Sequence, residues 1–402
     1  MTAPLSGLRV LDLTRVLAGP FATQMLADFG GDVIKIEKPH EGDETRGWGP
    51  PFVKNADGSD ADAAYFHAAN RGKKSVAIDI STAEGANLIK ALAAKSDILV
   101  ENYKVGGLAK YGLDFAALHK LNPRLIYCSI TGFGQTGPYA NRAGYDFMIQ
   151  GMAGVMSITG EPDGRPIKMG VAFSDVFAGL HAVIGIQAAL IARATTGLGQ
   201  HIDISLLDSQ VSVLANQAMN YLVSGKVPHR MGNEHPNIVP YQTFETADGH
   251  IIIAAGNDRQ FAALCKVIGA KSLADDKRFA TNRGRVELRG ELIPTLTPYL
   301  KARTTAQWVQ ALEADSVPCG PINTIDQVFA NEQVQARGLV RELPTSAGAM
   351  VKTVSNPVRF SASQNGAESA SPRLGQDTDS TLTEVLGLSA AQLSELRHSK
   401  II

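Results

Sequence analysis

The sequence has no excess of charge of either sign. Its 402 residues include 38 Lys and Arg against 39 Asp and Glu, a formal net charge of −1. Binding to nucleic acid or to an anionic membrane surface normally requires a basic patch or stripe. Neither partner is therefore expected, and the 44% content of hydrophobic residues predicts a globular protein with two or three domains.

Cysteine is scarce, and the N-terminus lacks the pattern of a secretory signal peptide. The three cysteines, Cys128, Cys265 and Cys319, are far apart and show no metal-ligand spacing. Free thiols are typical of a reducing compartment, so we expect a cytoplasmic protein without a structural metal.

Several ligand-binding motifs are also missing. No Gly-x-Gly-x-x-Gly follows the first predicted strand, and there is neither a Walker A loop nor a His-Glu-x-x-His. Residues 131–137 (TGFGQTG) come closest to a dinucleotide loop, but no helical pattern follows them directly. A classical dinucleotide site, a P-loop and a zincin site are therefore excluded.

Strand and helix patterns alternate through the first third of the chain. Strands are predicted at 7–14, 32–37, 74–80, 97–102 and 125–130, with helical spacing between most of them. This predicts a doubly wound parallel sheet of Rossmann type, whose ligands lie at the carboxyl ends of the strands. A polar connection at 227–237 then precedes a hairpin and several helices, which predicts a smaller α+β domain.

A short apolar run ends in Ser174-Asp175, and a long, almost uncharged helical pattern follows at 176–194. The unpaired amides and the dipole at a helix start favour a negative charge, so Asp175 is predicted to be ionised at neutral pH. A carboxylate held there could act as a nucleophile, although the simpler interpretation is that it only caps the helix. Because Gly179, His181 and other residues interrupt the apolar pattern, we expect a core helix and not a membrane span.

The chain resembles the family III CoA-transferases, which include formyl-CoA transferase, carnitine CoA-transferase and α-methylacyl-CoA racemase. The resemblance runs end to end, and its order makes it specific. Its motifs are 11–20 (LDLTRVLAGP), 33–39 (VIKIEKP), 70–75 (NRGKKS), 100–103 (VENY), 144–146 (GYD), 174–175 (SD), 196–200 (TGLGQ) and 374–378 (LGQDT). Within the family it is most similar to the succinate–hydroxymethylglutarate (glutarate) CoA-transferases, at 45–52, 127–138, 238–244 and 319–323.

The resemblance implies a Rossmann-like domain formed by both chain ends (1–225 and 331–402) and a small α+β domain (226–330). It also implies an interlocked homodimer. The family's catalytic carboxylate falls on Asp175, which forms a mixed anhydride and then an aspartyl-CoA thioester. Coenzyme A or acyl-CoA is the substrate, no prosthetic group is needed, and succinyl-CoA with a glutarate-like acid is the expected pair.

Ten residues are predicted to contact CoA, some because the resemblance places them there and some because a polyanionic ligand requires cations. They are Arg15, Val16, Ala18, Lys38, Arg71, Lys73, Asn102, Tyr103, Lys110 and Tyr145. The alternatives are ordinary loop packing, solvated surface lysines and, for Asn102 and Tyr103, a capped strand end. Arg46 and Arg142 are candidates to hold the distal carboxylate of a dicarboxylic acid, and His235 could approach the site.

One residue bears on the reaction type and another on the substrate. Tyr145 stands where the racemase branch carries a His base, which favours acyl transfer over removal of an α-proton. Leu17 stands where formyl-CoA transferase carries a Gln, which counts against formyl or oxalyl substrates. A racemase or epimerase of the same fold remains the second hypothesis, and a catalytically silent CoA-binding protein is the third.

Overall fold

The computed structural model describes residues 2–55, 57–346 and 348–402. Over these residues the strands are β1 (Arg9–Asp12), β2 (Asp32–Glu37), β3 (Phe52–Lys54), β4 (Asp60–Ala63), β5 (Lys74–Ala77), β6 (Ile98–Glu101), β7 (Ile126–Thr131), β8 (His201–Ser205), β9 (Tyr241–Glu245), β10 (His250–Ala254), β11 (Cys319–Pro321), β12 (Val340–Pro344) and β13 (Met350–Val354).

The helices begin with α1 (Ala18–Asp28), α2 (Ala64–His67), α3 (Ala83–Ala93), α4 (Phe115–Leu121), α5 (Asp146–Met152), α6 (Val155–Ile158), α7 (Phe173–Thr196), α8 (Leu206–Ser212) and α9 (Ala215–Ser224). They continue with α10 (Asp258–Ile268), α11 (Lys271–Asp275), α12 (Asn282–Glu287), α13 (Arg289–Leu300), α14 (Thr305–Ala314), α15 (Ile325–Ala330), α16 (Glu332–Ala336), α17 (Thr378–Leu386) and α18 (Ala390–His398). The chain forms two compact units, the first from 1–155, 168–219 and 335–402 and the second from 156–167 and 220–334.

The first unit is built on a six-stranded parallel sheet in the order β5-β2-β1-β6-β7-β8. The chain runs outward from β1 to β5 on one side and from β6 to β8 on the other. The strand order therefore reverses between β1 and β6, where the loops after the strands diverge and leave a crevice at their carboxyl ends. This confirms the predicted parallel α/β sheet.

Alternate side chains of the strands enter two separate hydrophobic cores. Val10 and Ile98 pack with α1 and α7 on one face of the sheet. Leu11 and Ile34 pack with α3, α4, α17 and α18 on the other face. Because both faces are covered, most positions of the inner strands β1, β2, β6 and β7 are buried.

The C-terminal segment covers the exposed edge of β5. Ser75 N donates to Asp377 Oδ2 (2.9 Å), Asp377 N donates to Ser75 O (2.9 Å), and Ala77 N donates to Thr378 Oγ1 (3.0 Å). An unpaired edge would offer these groups to another chain. The motif at 374–378 therefore closes the sheet and brings α17 and α18 onto it.

Helix α7 is long and apolar enough to cross a membrane by length and composition, which is weak evidence on its own. One of its faces is buried in the core with α1, through Ala178, Ala182, Ile186 and Ala189. The opposite face leaves Ile184 and Ile191 exposed, by 61% and 74%. As predicted, α7 is thus a packed helix of the α/β core, although Ile184 and Ile191 stay uncovered in the single chain.

The end of α7 explains the motif at 196–200. Gly197 ends the helix in the left-handed conformation (φ 75°), the usual role of glycine at this position. A Cβ atom on Gly199 would lie only 2.0 Å from Leu125 O, so no larger residue fits there. The two glycines therefore turn the chain into β8 directly beside the start of β7.

The second unit has its own core. Strands β9, β10 and β11 form an antiparallel sheet in the order β11-β10-β9, and helices α10–α14 supply most of the side chains packed on it. Trp308 is buried, and its indole Nε1 donates to Leu300 O at 2.7 Å. The hairpin predicted after the connection at 227–237 is formed by β9 and β10, which pair in antiparallel orientation.

A network of buried ion pairs holds the loops at the carboxyl ends of β1 and β2. Lys35 Nζ, wholly buried, donates to Thr14 O (2.8 Å) and Asp43 Oδ2 (2.9 Å). Lys73 Nζ, also wholly buried, donates to Asp12 Oδ2 (3.1 Å). Burial raises the pKa of Asp12, but Lys73 and Lys35 outweigh that effect, and the net shift is downward. These loops are therefore fixed by charges that water does not reach.

We expect Lys35→Met to lower the free energy of unfolding by about 3–5 kcal/mol, because it leaves the buried carboxylate of Asp43 without its cation. Urea-induced unfolding followed by circular dichroism measures this change. Lys54→Met is the matched control, since Lys54 forms an exposed pair with Asp60 and such pairs contribute roughly 0–1 kcal/mol. Equal effects of the two substitutions would show that the network does not stabilise the fold.

Candidate active site

A cavity of about 780 Å³ lies at the carboxyl ends of the parallel strands. Its walls come from the segments that follow β1, β2, β5, β6 and β7, and from α7. This is where an open α/β sheet with a reversal of strand order binds its ligand. Residues 78–81, after β5, also line it and were not among the predicted contacts. The same strand-end rule would have found them, because the strand predicted at 74–80 ends there.

Asp175 lies in the first turn of α7, and its carboxylate lines the cavity without a hydrogen-bond partner among the described residues. The N-cap residue is Ala172, whose side chain cannot accept a hydrogen bond. Asp146 supplies the acceptor instead, since its Oδ1 accepts from Ser174 N (2.8 Å) and from Asp175 N (3.4 Å). The capping role that the simpler interpretation gave to Asp175 therefore belongs to Asp146.

Asp146 is held in this position by a side chain one turn later in α5. Gln150 Nε2 donates to Asp146 Oδ2 (2.8 Å), and Gln150 Oε1 accepts from Met169 N (2.8 Å). On the other side, Ser174 Oγ donates to Gln210 Oε1 (2.9 Å). Both glutamines are fully buried, so the first turn of α7 is fixed by side chains from α5 and α8.

A close backbone contact brings Asp146 to α7. A Cβ atom on Gly144 would lie 2.4 Å from the Cα atom of Gly132, and one on Gly132 would lie 2.5 Å from the Cα atom of Gly144. Only glycine at both positions allows this approach. The glycines of the motifs at 131–137 and 144–146 thus serve to place the start of α5 beside the end of β7.

The ionisation of Asp175 differs from the prediction. Burial raises the pKa of this carboxyl, and the charge on Asp146 raises it further, to about 7. The predicted stabilisation by the helix start is not available to Asp175, because Asp146 occupies the free amides. Asp175 therefore exists in both its protonated and its ionised form near neutral pH, which corrects the expectation of a permanently ionised group.

The structure brings most of the predicted contact residues together in this cavity. Lining it are Arg15, Val16, Ala18, Lys38, Asn102, Tyr103, Lys110 and Tyr145, with Asp175. These residues come from separate segments of the chain and converge on one cavity.

Asn102 fastens the loop after β1. Its Oδ1 accepts from Arg15 N (3.0 Å), and its Nδ2 donates to Arg15 O (2.7 Å). The next residue, Val16, has φ 71°, an outlying conformation for a β-branched side chain. Val16 N donates to Asp43 Oδ1 at 3.3 Å. The loop is thus kept in a strained shape by fixed partners, as is common at functional sites.

Two predicted phosphate contacts, Arg71 and Lys73, do not line this cavity. The Lys73 ammonium is fully buried against Asp12 and the Asn70 side chain. Arg71 Nε donates to Asp28 Oδ1 (2.8 Å), and Arg71 lines a second, smaller cavity. The prediction for Lys73 is wrong because its charge is used within the fold, and Arg71 belongs to a different site.

The three residues considered for the distal carboxylate of a dicarboxylic acid lie in different places. Arg142 lines the cavity, with its guanidinium 4.4 Å from the centre of the Tyr139 ring. Arg46 is buried and paired with Glu37 (2.7 Å) and Asp62 (2.7 Å), so it is not free to bind a ligand. His235 belongs to the second unit, where its Nδ1 accepts from Asn237 N (3.0 Å). Arg142 is the candidate that remains in the first unit.

Comparisons with known proteins identify the family of this chain. The family model described as CoA-transferase family III matches residues 5–378. A succinate–glutarate CoA-transferase of Agrobacterium fabrum is 53% identical over 95% of this chain and 96% of its own length. A human succinyl-CoA:glutarate CoA-transferase is 43% identical over 99% of this chain and 90% of its own length.

Solved structures show the same fold. A CaiB/BaiF family protein from Brucella suis is 53% identical, with a TM-score of 0.85 over 96% of this chain and all of that one. The protein Rv3272 from Mycobacterium tuberculosis is 30% identical, with a TM-score of 0.83 over 94% of this chain and 99% of that one.

We expect Asp175→Asn to raise the melting temperature, and to raise it more at about pH 8 than at about pH 5. An unfolded aspartate ionises near about pH 3.9, whereas the folded Asp175 has a pKa of about 7. The cost of ionising it in the fold therefore builds up between these values and is complete above them. Thermal unfolding of both proteins at the two pH values measures the difference.

The control is the same comparison in an Asp146→Asn background. The asparagine side chain keeps an oxygen for the amides of α7 but removes one of the two causes of the raised pKa of Asp175. The pH-dependent part of the gain should then shrink. A gain of the same size at both pH values would contradict the raised pKa of Asp175.

Proposed function

Because the chain belongs to CoA-transferase family III, we propose that it transfers CoA from succinyl-CoA to glutarate or a closely related dicarboxylic acid. The observation that carries the proposal is the carboxylate of Asp175, which faces the cavity at the strand ends with no partner among the described residues. The names of the Agrobacterium and human relatives supply the pair of acids.

The proposed reaction needs only this carboxylate and the two substrates. Asp175 attacks the thioester carbonyl of succinyl-CoA, and the C–S bond breaks. This forms a mixed anhydride between Asp175 and the succinyl group and releases CoA as a thiolate. The thiolate then attacks the aspartyl carbonyl, which releases succinate and leaves an aspartyl-CoA thioester. Glutarate attacks this thioester to form a second anhydride, and the returning thiolate takes the glutaryl group and frees Asp175.

The environment of Asp175 suits a group that must both attack and leave. Only the ionised form can attack, and with a pKa of about 7 it is well populated at neutral pH. A carboxylate that burial and Asp146 make harder to ionise is also a stronger nucleophile than an exposed one. The cost of holding Asp175 charged is relieved when it becomes an anhydride or a thioester, because both are neutral.

The rest of the cavity suits the long, phosphate-bearing part of CoA that does not react. Arg15, Lys38 and Lys110 line the same cavity and are proposed to bind the phosphates of CoA. Binding energy from this non-reacting part can be used at the reacting carbonyl. Arg142 is proposed to hold the distal carboxylate of the diacid. We propose CoA thioesters as substrates, no prosthetic group, and the first unit, with both chain ends, as the CoA-binding domain.

A racemase of the same fold is the alternative that the sequence left open. It requires a second base beside the aspartate, and the residue at that position, Tyr145, is mostly exposed (69%). A tyrosine hydroxyl accepts a proton much less readily than the imidazole of a histidine. The acyl-transfer proposal is therefore preferred.

A homodimer, interlocked as in the resembling family, is proposed as the working form of this cytoplasmic enzyme. Its support is the uncovered apolar face of α7, where Ile184 and Ile191 are exposed together with Leu198 beyond the helix end. Apolar surface of this kind on one chain usually marks a protein interface.

The proposal is tested by mixing the protein with succinyl-CoA and a panel of carboxylic acids, without metal or ATP. Mass spectrometry should detect glutaryl-CoA and an equal amount of succinate. Asp175→Ala should reduce the rate by at least about 10³-fold, the scale expected when a covalent nucleophile is removed. Asp163→Ala, which removes an exposed aspartate, is the matched control and should leave the rate unchanged.

A sizing column checks that each variant is folded, and each should elute as a dimer. Transfer close to the wild-type rate in Asp175→Ala would refute the nucleophile. Absence of exchange with every acid, together with uptake of deuterium at the α-carbon of a branched acyl-CoA, would replace the proposal by the racemase.

A further inference from the structure

A second cavity, of about 280 Å³, lies in the first unit apart from the CoA cavity and shares no lining residue with it. It lies between the end of α1, the hairpin of β12 and β13, and the segments on either side of that hairpin. Four arginines contribute to its wall, namely Arg71, Arg337, Arg341 and Arg359. Among the described residues of the lining, the only acidic one is Asp28.

The charge of Asp28 is already neutralised. Arg71 Nε donates to Asp28 Oδ1 (2.8 Å), a second nitrogen of the same guanidinium pairs with Oδ2, and Asn356 Nδ2 donates to Oδ2 (3.1 Å). Arg71 and Asp28 are both buried. The pair therefore forms a fixed, neutral floor, and the other three arginines determine the charge of the cavity.

Those three arginines have no carboxylate of their own. Among the described residues, none of Arg337, Arg341 and Arg359 takes part in an ion pair. Arg341 Nη1 donates a hydrogen bond to the backbone oxygen Ala367 O, at 3.3 Å. Three unpaired guanidinium groups around one small cavity should attract an ion with more than one negative charge.

A buried acceptor indicates which kind of anion fits. Asn365 lines the cavity, and its Oδ1 is buried with no hydrogen-bond partner among the described residues. A buried carbonyl oxygen left without a donor destabilises the fold, so a ligand that supplies a donor is favoured there. A monoprotonated phosphate offers a hydroxyl donor as well as acceptor oxygens for the arginines, whereas an ionised dicarboxylate has no hydrogen to donate. Thr353 and Ser355 add hydroxyl groups to the same lining.

We propose that this cavity is a binding site for a phosphate group, either inorganic phosphate or the phosphate of a small monoester, separate from the CoA site. Arg337, Arg341 and Arg359 hold its charge, and Asn365 accepts its hydroxyl hydrogen. The site does not depend on the proposed transfer reaction, since none of its residues lines the CoA cavity.

The test is equilibrium dialysis of the full-length protein with radioactive inorganic phosphate at roughly 0.1 M ionic strength, which screens exposed charges. Saturating CoA is present throughout, so that the first cavity cannot take up phosphate. One phosphate should bind per chain. Arg337→Ser/Arg359→Ser should weaken this binding by at least about tenfold, since charge-assisted hydrogen bonds contribute about 1.5–3 kcal/mol each.

The matched control is Arg165→Ser/Arg283→Ser, which removes the same charge from exposed positions outside the cavity. Its binding should equal that of the wild type. Glycerol phosphate as competitor distinguishes the two sources, because tighter displacement than by inorganic phosphate indicates a monoester and equal displacement indicates the free ion.

Three results would overturn the proposal. They are the absence of bound phosphate in the wild type, equal weakening in both double variants, and displacement by glutarate at concentrations as low as those of phosphate. Circular dichroism of each variant excludes loss of the fold as the cause of weaker binding.

Discussion

The carboxyl edge of the sheet depends on charges that are buried beneath the cavity. Lys35, Lys73, Asp12 and Asp43 are all without exposed side-chain area and neutralise one another. Burying an ion pair is seldom a large gain in stability, but losing one partner is costly. The arrangement therefore fixes a single shape for the loops after β1 and β2, including the strained Val16. Both loops line the cavity at the strand ends, so its shape depends on these pairs.

The two aspartates at the start of α7 differ in whether their buried charge has a partner. Asp146 has partners for both of its oxygens, in the backbone of α7 and the side chain of Gln150. Asp175 has none for its carboxylate among the described residues, and it lies close enough to Asp146 for the charge to raise its pKa. Asp146 therefore caps the helix, because its carboxylate reaches the amides of Ser174 and Asp175.

The sequence predicted those features that depend on short-range pattern. Short apolar runs separated by helical patterns identified the strands of the sheet. The rule that ligands lie at the carboxyl ends of parallel strands drew attention to Arg15, Lys38 and Asn102, which line the same cavity as Asp175. The prediction of ligand contacts from charge failed for Lys73 and Arg46, because each of these cations is paired with a carboxylate inside the fold. The partner of Lys73 is Asp12, which lies 61 residues away in the sequence. The prediction for the pKa of Asp175 failed because Asp146, 29 residues earlier, takes the helix start. Charge alone does not reveal whether a cation faces a ligand or a buried partner.

The covalent step is the central claim, and intact-protein mass spectrometry tests it most directly. The protein is mixed with succinyl-CoA in the absence of an acceptor acid, quenched in acid and weighed. We expect a species that is heavier by one CoA less one water, that hydroxylamine removes, and that is absent in Asp175→Asn. The same adduct in Asp175→Asn, or no adduct in a wild-type protein that still converts succinyl-CoA and glutarate into glutaryl-CoA, would contradict this claim.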